Sequence, residues 1–600
     1  MKRSIALPIL LVACLSSSAQ ETYPQINNIS GRSAVCLDGN WKYIVDVYNT
    51  GNQDYRAKPL PDGQSYFADR SFYADQTRLI EYDFDASREI AVPGDWNTQR
   101  PELYYYEGAV WYRTKFACAP KEGRRYFLYF GAANYETVVG VNGRRVGRHE
   151  GGFTPFNIEV TDRLVDGDNS LVVNVDNTRR MDGVPTVNSD WWNYGGITRS
   201  VYLVETPATF IRDYFLQLKK GSQTVIQGWA QLDGQALGQK VTVSIPELGI
   251  SRTVTSGADG LARFEIPARP VLWCPENPKL YDVKVYCETD SVSDRIGFRT
   301  IETRGDKLLL NGKEVFCKGI SIHEEMIGGA GGRAFSEEHA RALLAEAKAM
   351  NCNFVRLAHY PHSENMVRVA EEMGIMVWSE IPVYWTISFD NAETYANAER
   401  QLVDMVSRDH NRANVIIWSV ANETPLGDSR LSFLTRLVGK ARELDPTRLV
   451  SAAMEKIENP GRQLTVDDPL LDVADLISFN QYVGWYDGTP EKCDEVTWSF
   501  PVSKPVIITE FGGGAVYGRH GAVDQRFAEE NQEYLYRKNI EMLERIPGLA
   551  GASPWILKDF RSPKRMLAGT QDDYNRKGLL SEKGERKKAF YVMQSWYGTK

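Results

Sequence analysis

The feature that most constrains this chain is a change of texture near Glu302. From there to the C-terminus, short apolar runs alternate with amphipathic stretches. Eight strand candidates stand out: Phe316–Ile320, Asn353–Leu357, Ile375–Ser379, Val415–Val420, Leu449–Ala452, Leu476–Phe479, Val506–Thr509 and Ala550–Trp555. Between them, 336–350 and 400–409 repeat their apolar residues at helical spacing. Ser336 suits an N-cap, and Glu337 and Glu338 fall in the first turn, where acids are favoured. Runs that are apolar on both faces read as buried parallel strands. Eight β/α units predict a closed barrel with its site at the strand C-terminal ends.

Chemistry-bearing residues collect at those ends. Val415 to Val420 is uncharged and partly β-branched, and it stops in Ala421-Asn422-Glu423 before Pro425. A carboxylate at the tip of a buried strand is costly unless something pairs or uses it. Alone, Glu423 reads equally as a capping or ion-paired acid. A second strand, Val506 to Thr509, ends in Glu510 with Gly512-Gly-Gly514 behind it. Two strand-end glutamates far apart in sequence can meet at one end of a barrel. Paired carboxyls flanking a sugar ring are the equipment of glycoside hydrolysis. His323 follows the first strand, His359 and Tyr360 the second, and Glu380 the third. Asn480 and Tyr482 follow the sixth, and Trp555 ends the eighth.

Six hundred residues imply about three or four domains. Lys2-Arg3, the apolar stretch Ile5 to Leu15 and small residues at 16–19 read as a bacterial export signal, too short to span a bilayer. Leu11-Val-Ala-Cys14 has the form of a lipidation site, competing with a cut after Ala19. A periplasmic or outer-membrane-associated protein is therefore expected, free or anchored through Cys14. No later stretch reaches the length of a membrane span. From 20 to about 204, strand-like runs such as 125–130, 136–141 and 170–175 are separated by turn signals such as Asn142-Gly143. This reads as a β-sandwich. About one hundred further residues, 205–301, fit an immunoglobulin-like sandwich, and 302–600 the barrel. The remaining cysteines are dispersed, without a Cys-x-x-Cys pair. Cys274 and Cys287 could bridge a hairpin, but free thiols are the expectation. The net charge of −8 argues against a nucleic-acid partner. The sequence leaves a homo-oligomer open.

Together these segments resemble glycoside hydrolase family 2, the family of β-galactosidases, β-glucuronidases and β-mannosidases. The matching stretches are Leu37-Asp-Gly-Asn-Trp41, Asn193-Tyr-Gly-Gly-Ile-Thr-Arg199, Gly297-Phe-Arg299, Leu310-Asn-Gly-Lys313, Asn353-Phe-Val-Arg356, His359-Tyr-Pro361, Trp418-Ser-Val-Ala-Asn-Glu423 and Thr509-Glu-Phe-Gly512. The resemblance implies a jelly-roll sugar-binding-like domain, an immunoglobulin-like domain and a (β/α)8 barrel. It implies a retaining mechanism with Glu423 as general acid/base, Glu510 as nucleophile and Asn422 on the sugar 2-hydroxyl. Asn575-Arg-Lys577 is similar to the Asn-x-Lys motif by which β-glucuronidases grip a uronate. The loop carrying Asp190 and the segment Tyr482 to Tyr486 resemble theirs too. One position departs: best-known members carry an arginine four residues before the motif asparagine, and here stands Gln571. Arg561 or Arg565 could substitute. The reading is an exo-acting β-glycosidase for terminal uronides, with a β-galactosidase as the alternative. Substrate contacts are expected from Asp190, His323, His359, Asn422, Asn480, Tyr482, Tyr486, Trp555, Asn575 and Lys577. No metal or cofactor is expected, since no His-Glu-x-x-His cluster is present. The short connection after Glu380 predicts an open pocket that admits the ends of oligosaccharides or polysaccharides.

Overall fold

The computed structural model describes residues 24–70, 77, 81–329 and 331–600. The export signal and Cys14 lie outside the described residues.

The first domain is a sandwich of two antiparallel sheets. One has six strands, in the order Arg88–Val92, Gly39–Asp46, Ala109–Cys118, Gly167–Asp176, Glu136–Val141 and Arg144–Glu150. The other has four: Ala34–Cys36, Val201–Pro207, Arg124–Phe130 and Phe156–Glu159. Trp41, Tyr112, Phe130, Ile158 and Val173 belong to the core between them. Asn142 and Gly143 both have positive φ, 51° and 80°. That is what a two-residue hairpin between Glu136–Val141 and Arg144–Glu150 requires.

The second domain packs a three-stranded sheet on a four-stranded one, seven strands in all. Tyr281–Tyr286 alternates buried and exposed residues without exception, as a sheet with one wet face demands. The link to the barrel is anchored by Arg299, which is fully buried. It donates to the carbonyls of Ala413 at 3.0 Å, Thr447 at 3.2 Å and Val415 at 2.6 Å.

The barrel closes through a first strand split in two. Cys317–Lys318 pairs with Leu549–Ala552, and Ser321–Ile322 pairs with Phe354–Leu357. Around the ring follow Met376–Glu380, Val415–Asn422, Leu449–Glu455, Ile477–Asn480 and Val506–Glu510. The split falls at Gly319, where a Cβ would stand 2.7 Å from the Ala552 carbonyl oxygen. The eighth strand stops at Ala552 rather than Trp555 because Pro554 offers no N–H to the ladder. Val415–Asn422 is buried along its whole length. Helix Glu337–Ala349 begins at its N-cap Ser336, whose hydroxyl accepts from the backbone of His339. The helical shell is less regular than eight equal units. The connections after the fifth and sixth strands hold only short helices, Pro469–Asp472 and Lys492–Glu495. Gly461, Pro469, Gly484, Gly488 and Pro490 interrupt helical continuation there. Among the described residues no helix is long and apolar enough to cross a membrane, and seven cysteines are unpaired.

Candidate active site

Glu510 ends the seventh barrel strand and is buried. Its Oε1 accepts from Nη1 of Arg356 at 2.6 Å, and its Oε2 accepts from the Tyr482 hydroxyl at 2.6 Å. Arg356, on the second strand, is wholly buried and uses its full fork. It donates to both oxygens of Glu380, at 3.0 and 3.2 Å, to Asn422 Oδ1 at 2.6 Å and to the Thr509 carbonyl at 3.2 Å. A planar, permanently charged donor set suits such bidentate work. Burial pushes the Glu380 carboxyl up, but Arg356 and the bonds from His359 and Trp378 outweigh it and hold it at about 2. Glu380 is thus a fixed anion beneath Arg356.

Glu423 directly follows the fourth strand, with φ of +47°, a region non-glycine residues seldom occupy. Such strain concentrates at functional positions. Its Oε1 accepts from Asn480 Nδ2 at 2.9 Å and its Oε2 from the Trp385 indole at 2.8 Å. Burial, and then the neighbouring Glu510 charge, raise its pKa to about 7. Asn480 and Trp385 pull the other way, but less. One chain of contacts joins the two acids: Asn480 bonds Glu423 and also Asn422 at 3.1 Å, and Asn422 accepts from the Arg356 that grips Glu510. Asn422 Nδ2 is buried without a partner, a donor free to meet a ligand hydroxyl.

A second cluster adjoins Tyr482, whose ring centre lies 5.5 Å from the Lys577 ammonium. Lys577 is buried, and its ammonium donates to the Tyr486 hydroxyl at 2.7 Å. Arg565 Nη1 donates to the same oxygen at 3.2 Å. Desolvation would raise the Tyr486 pKa, but Lys577 and Arg565 outweigh it and hold the phenol below its ordinary value. Asp190 reaches in from the first domain. It accepts from Ser562 Oγ at 2.5 Å, from Nε of Arg565 at 3.1 Å and from Asn575 at 3.2 Å, and pairs with Nη2 of Arg565. Asp190 therefore orients Arg565 and Asn575. Among the described residues no carboxylate pairs with Lys577.

Three stretches match family signatures: "Glycosyl hydrolases family 2, sugar binding domain" over 35–207, "Glycosyl hydrolases family 2" over 211–299 and "Glycosyl hydrolases family 2, TIM barrel domain" over 301–543. This chain belongs to glycoside hydrolase family 2. It is similar to the beta-glucuronidase of Paenibacillus borealis, 27% identical over 94% of this chain and 96% of the relative. It is 28% identical to that of Bacteroides fragilis over 85% of this chain and 78% of the relative. The solved structure of Bifidobacterium dentium beta-glucuronidase superposes with a TM-score of 0.81 at 26% identity, covering 96% of this chain and 99% of that one. A GH2 beta-galacturonidase from Eisenbergiella tayi, 22% identical, shares the fold with a TM-score of 0.79 over 96% and 98% of the two chains.

The other sequence-predicted residues take varied places in this family 2 site. His359 bonds Glu380 at 2.8 Å through Nδ1, and its Nε2 lies 3.7 Å from Glu510 Oε1. Trp555 stacks on His359 with centroids 4.7 Å apart and carries the Arg356 guanidinium 5.9 Å from its ring. His323 sits one layer back, bonded to the Tyr360 hydroxyl at 3.1 Å and packed on Phe560. Burial and His359 push its pKa well down, so it is neutral. Of the two arginines left open by Gln571, Arg565 reaches the Lys577 cluster. Arg561 turns away to the Tyr104 hydroxyl at 2.6 Å. Trp385, which touches Glu423, escaped the sequence reading; the aromatic pair Tyr384-Trp385 just beyond Glu380 was its only signal. Among the described residues no group of three or more His, Cys, Asp or Glu is arranged to hold a metal ion.

Proposed function

We propose that this enzyme removes terminal β-D-glucuronides from glycans or conjugates with retention of configuration. Glu510 attacks the anomeric carbon while Glu423, protonated, gives its proton to the departing oxygen. The glycosyl–enzyme ester is then hydrolysed by a water that Glu423, now a base, deprotonates. The assignments suit the surroundings. Glu510 is an acceptor for a guanidinium and a phenol, while Glu423, near pKa 7, holds its proton in neutral solution about half the time. Asn422 offers its free amide to the 2-hydroxyl.

The observation that carries the choice of sugar is the buried Lys577 ammonium, bonded to a phenol and lacking a carboxylate. A uronate C6 carboxylate between Lys577, Arg565 and Asn575 would complete it with charge-assisted bonds. A neutral galactoside would leave that cation without an anion. The enzyme acts outside the cytoplasm, exported by the signal at 1–19. Turnover of nitrophenyl glucuronide, galacturonide and galactoside tests the reading. Equal or better hydrolysis of the galactoside overturns it.

A further inference from the structure

A general acid must reach the glycosidic oxygen, so whatever touches its outer side borders the leaving group. Here that neighbour is Trp385, whose indole N–H bonds Glu423 Oε2 at 2.8 Å. The ammonium of Lys564 stands 4.9 Å from the centre of the Trp385 ring. Lys564 is exposed, and it donates to the side-chain carbonyl of Asn188. Among the described residues no carboxylate pairs with it.

Two loops meet twice at this rim. Asn188 holds Lys564, and two residues on Asp190 holds Arg565 and Ser562. The consecutive cations are thereby sent in different directions. Arg565 goes to Tyr486 and the Lys577 cluster, where the sugar being cleaved is gripped. Lys564 goes over the indole beside the acid. Glu455, at the exposed end of the fifth strand, is close enough to raise the pKa of Glu423.

We propose that the leaving-group side of this site selects an acidic saccharide, one bearing sulfate or carboxylate, with the Trp385 face as its platform and Lys564 reading its charge. Resting on the glycosidase assignment of Glu423 and Glu510, this names the unit to which the terminal uronide is attached. A saccharide laid against the indole gains apolar contact from the ring, while its anionic group gains from the ammonium. Because the pair is exposed, salt should weaken it.

The test compares kcat/KM for glucuronyl disaccharides whose second sugar is sulfated, carboxylated or unsubstituted, at low and high salt. Wild type is expected to favour the acidic disaccharides roughly twofold to fivefold at low salt, the size of an exposed pair. Lys564→Ala should bring that ratio toward one, and Lys564→Arg should restore it. A preference for sulfate alone or carboxylate alone supports the proposal and names the source. A wild-type ratio near one, or an equal loss on every substrate in Lys564→Ala, overturns it. Absence of turnover on nitrophenyl glucuronide would instead strike the underlying glucuronidase reading.

Discussion

Arg356 donates to Glu510 at 2.6 Å while the opposite edge of the same guanidinium holds Glu380. Two buried carboxylates thus share one cation. Arg356→Lys keeps the charge but not the fork, and should lower kcat by about a hundredfold or more, since two lost charge-assisted bonds amount to about 3 kcal/mol at least. Arg356→Ala leaves both acids buried without it and should cost about 3–5 kcal/mol of stability. Steady-state kinetics on the first and a thermal melt on both check this.

The pKa of Glu423 is raised from 4.5 to about 7, and the acid works when protonated. Turnover through kcat/KM should therefore fall as pH rises through about 7. Glu423→Gln should lose this alkaline limb, and should retain more activity on dinitrophenyl than on alkyl glycosides, since the former leave without a proton. The same shift acts on stability. A raised pKa favours the fold fully below about 4.5, and that advantage disappears as pH climbs through about 7. Melting temperatures of wild type and Glu423→Gln should accordingly diverge, in favour of the variant, between those values. Parallel melting curves across that range would contradict the assignment.

Trp385 donates to Glu423 and so steadies its charged form. Trp385→Phe removes the donor while keeping an aromatic ring at φ of +52°. The Glu423 pKa should rise further, and the alkaline limb of kcat/KM should move to higher pH. An unmoved or acid-shifted limb would mean that the indole acts on packing alone.

Much of this architecture is legible before any coordinates. The fourth and seventh barrel strands announce themselves because each is a buried run with no charge until its tip, and Glu423 and Glu510 are conspicuous for that reason. Their holders are another matter. Arg356 could be a support for Glu510 or a partner for an interior acid, and the barrel makes it both. Trp385 sits on an aperiodic loop in a left-handed conformation, where neither alternation nor helical spacing points at a partner. The choice between Arg561 and Arg565 depends on how 562–573 folds back, and that path is fixed by Asp190, nearly four hundred positions upstream.

Lys577 meets Tyr486 at 2.7 Å, and Arg565 shares that oxygen. Lys577→Met keeps length without charge. Its kcat/KM on aryl glucuronides should drop by roughly ten- to a hundredfold, the scale of one bond to a charged group. Arg565→Gln should act the same way, more weakly, because Asp190 already engages part of its fork. Hydrolysis of an aryl glucoside measured alongside should not fall in either variant; a matching loss there would show that the cluster only braces the loop.

Because Asp190 belongs to the first domain yet sets the posture of Arg565 in the last, the catalytic domain cannot be traded between relatives as a self-sufficient cassette. Grafting it behind a foreign sandwich would deliver an intact pair of acids with a misaligned reader of charge.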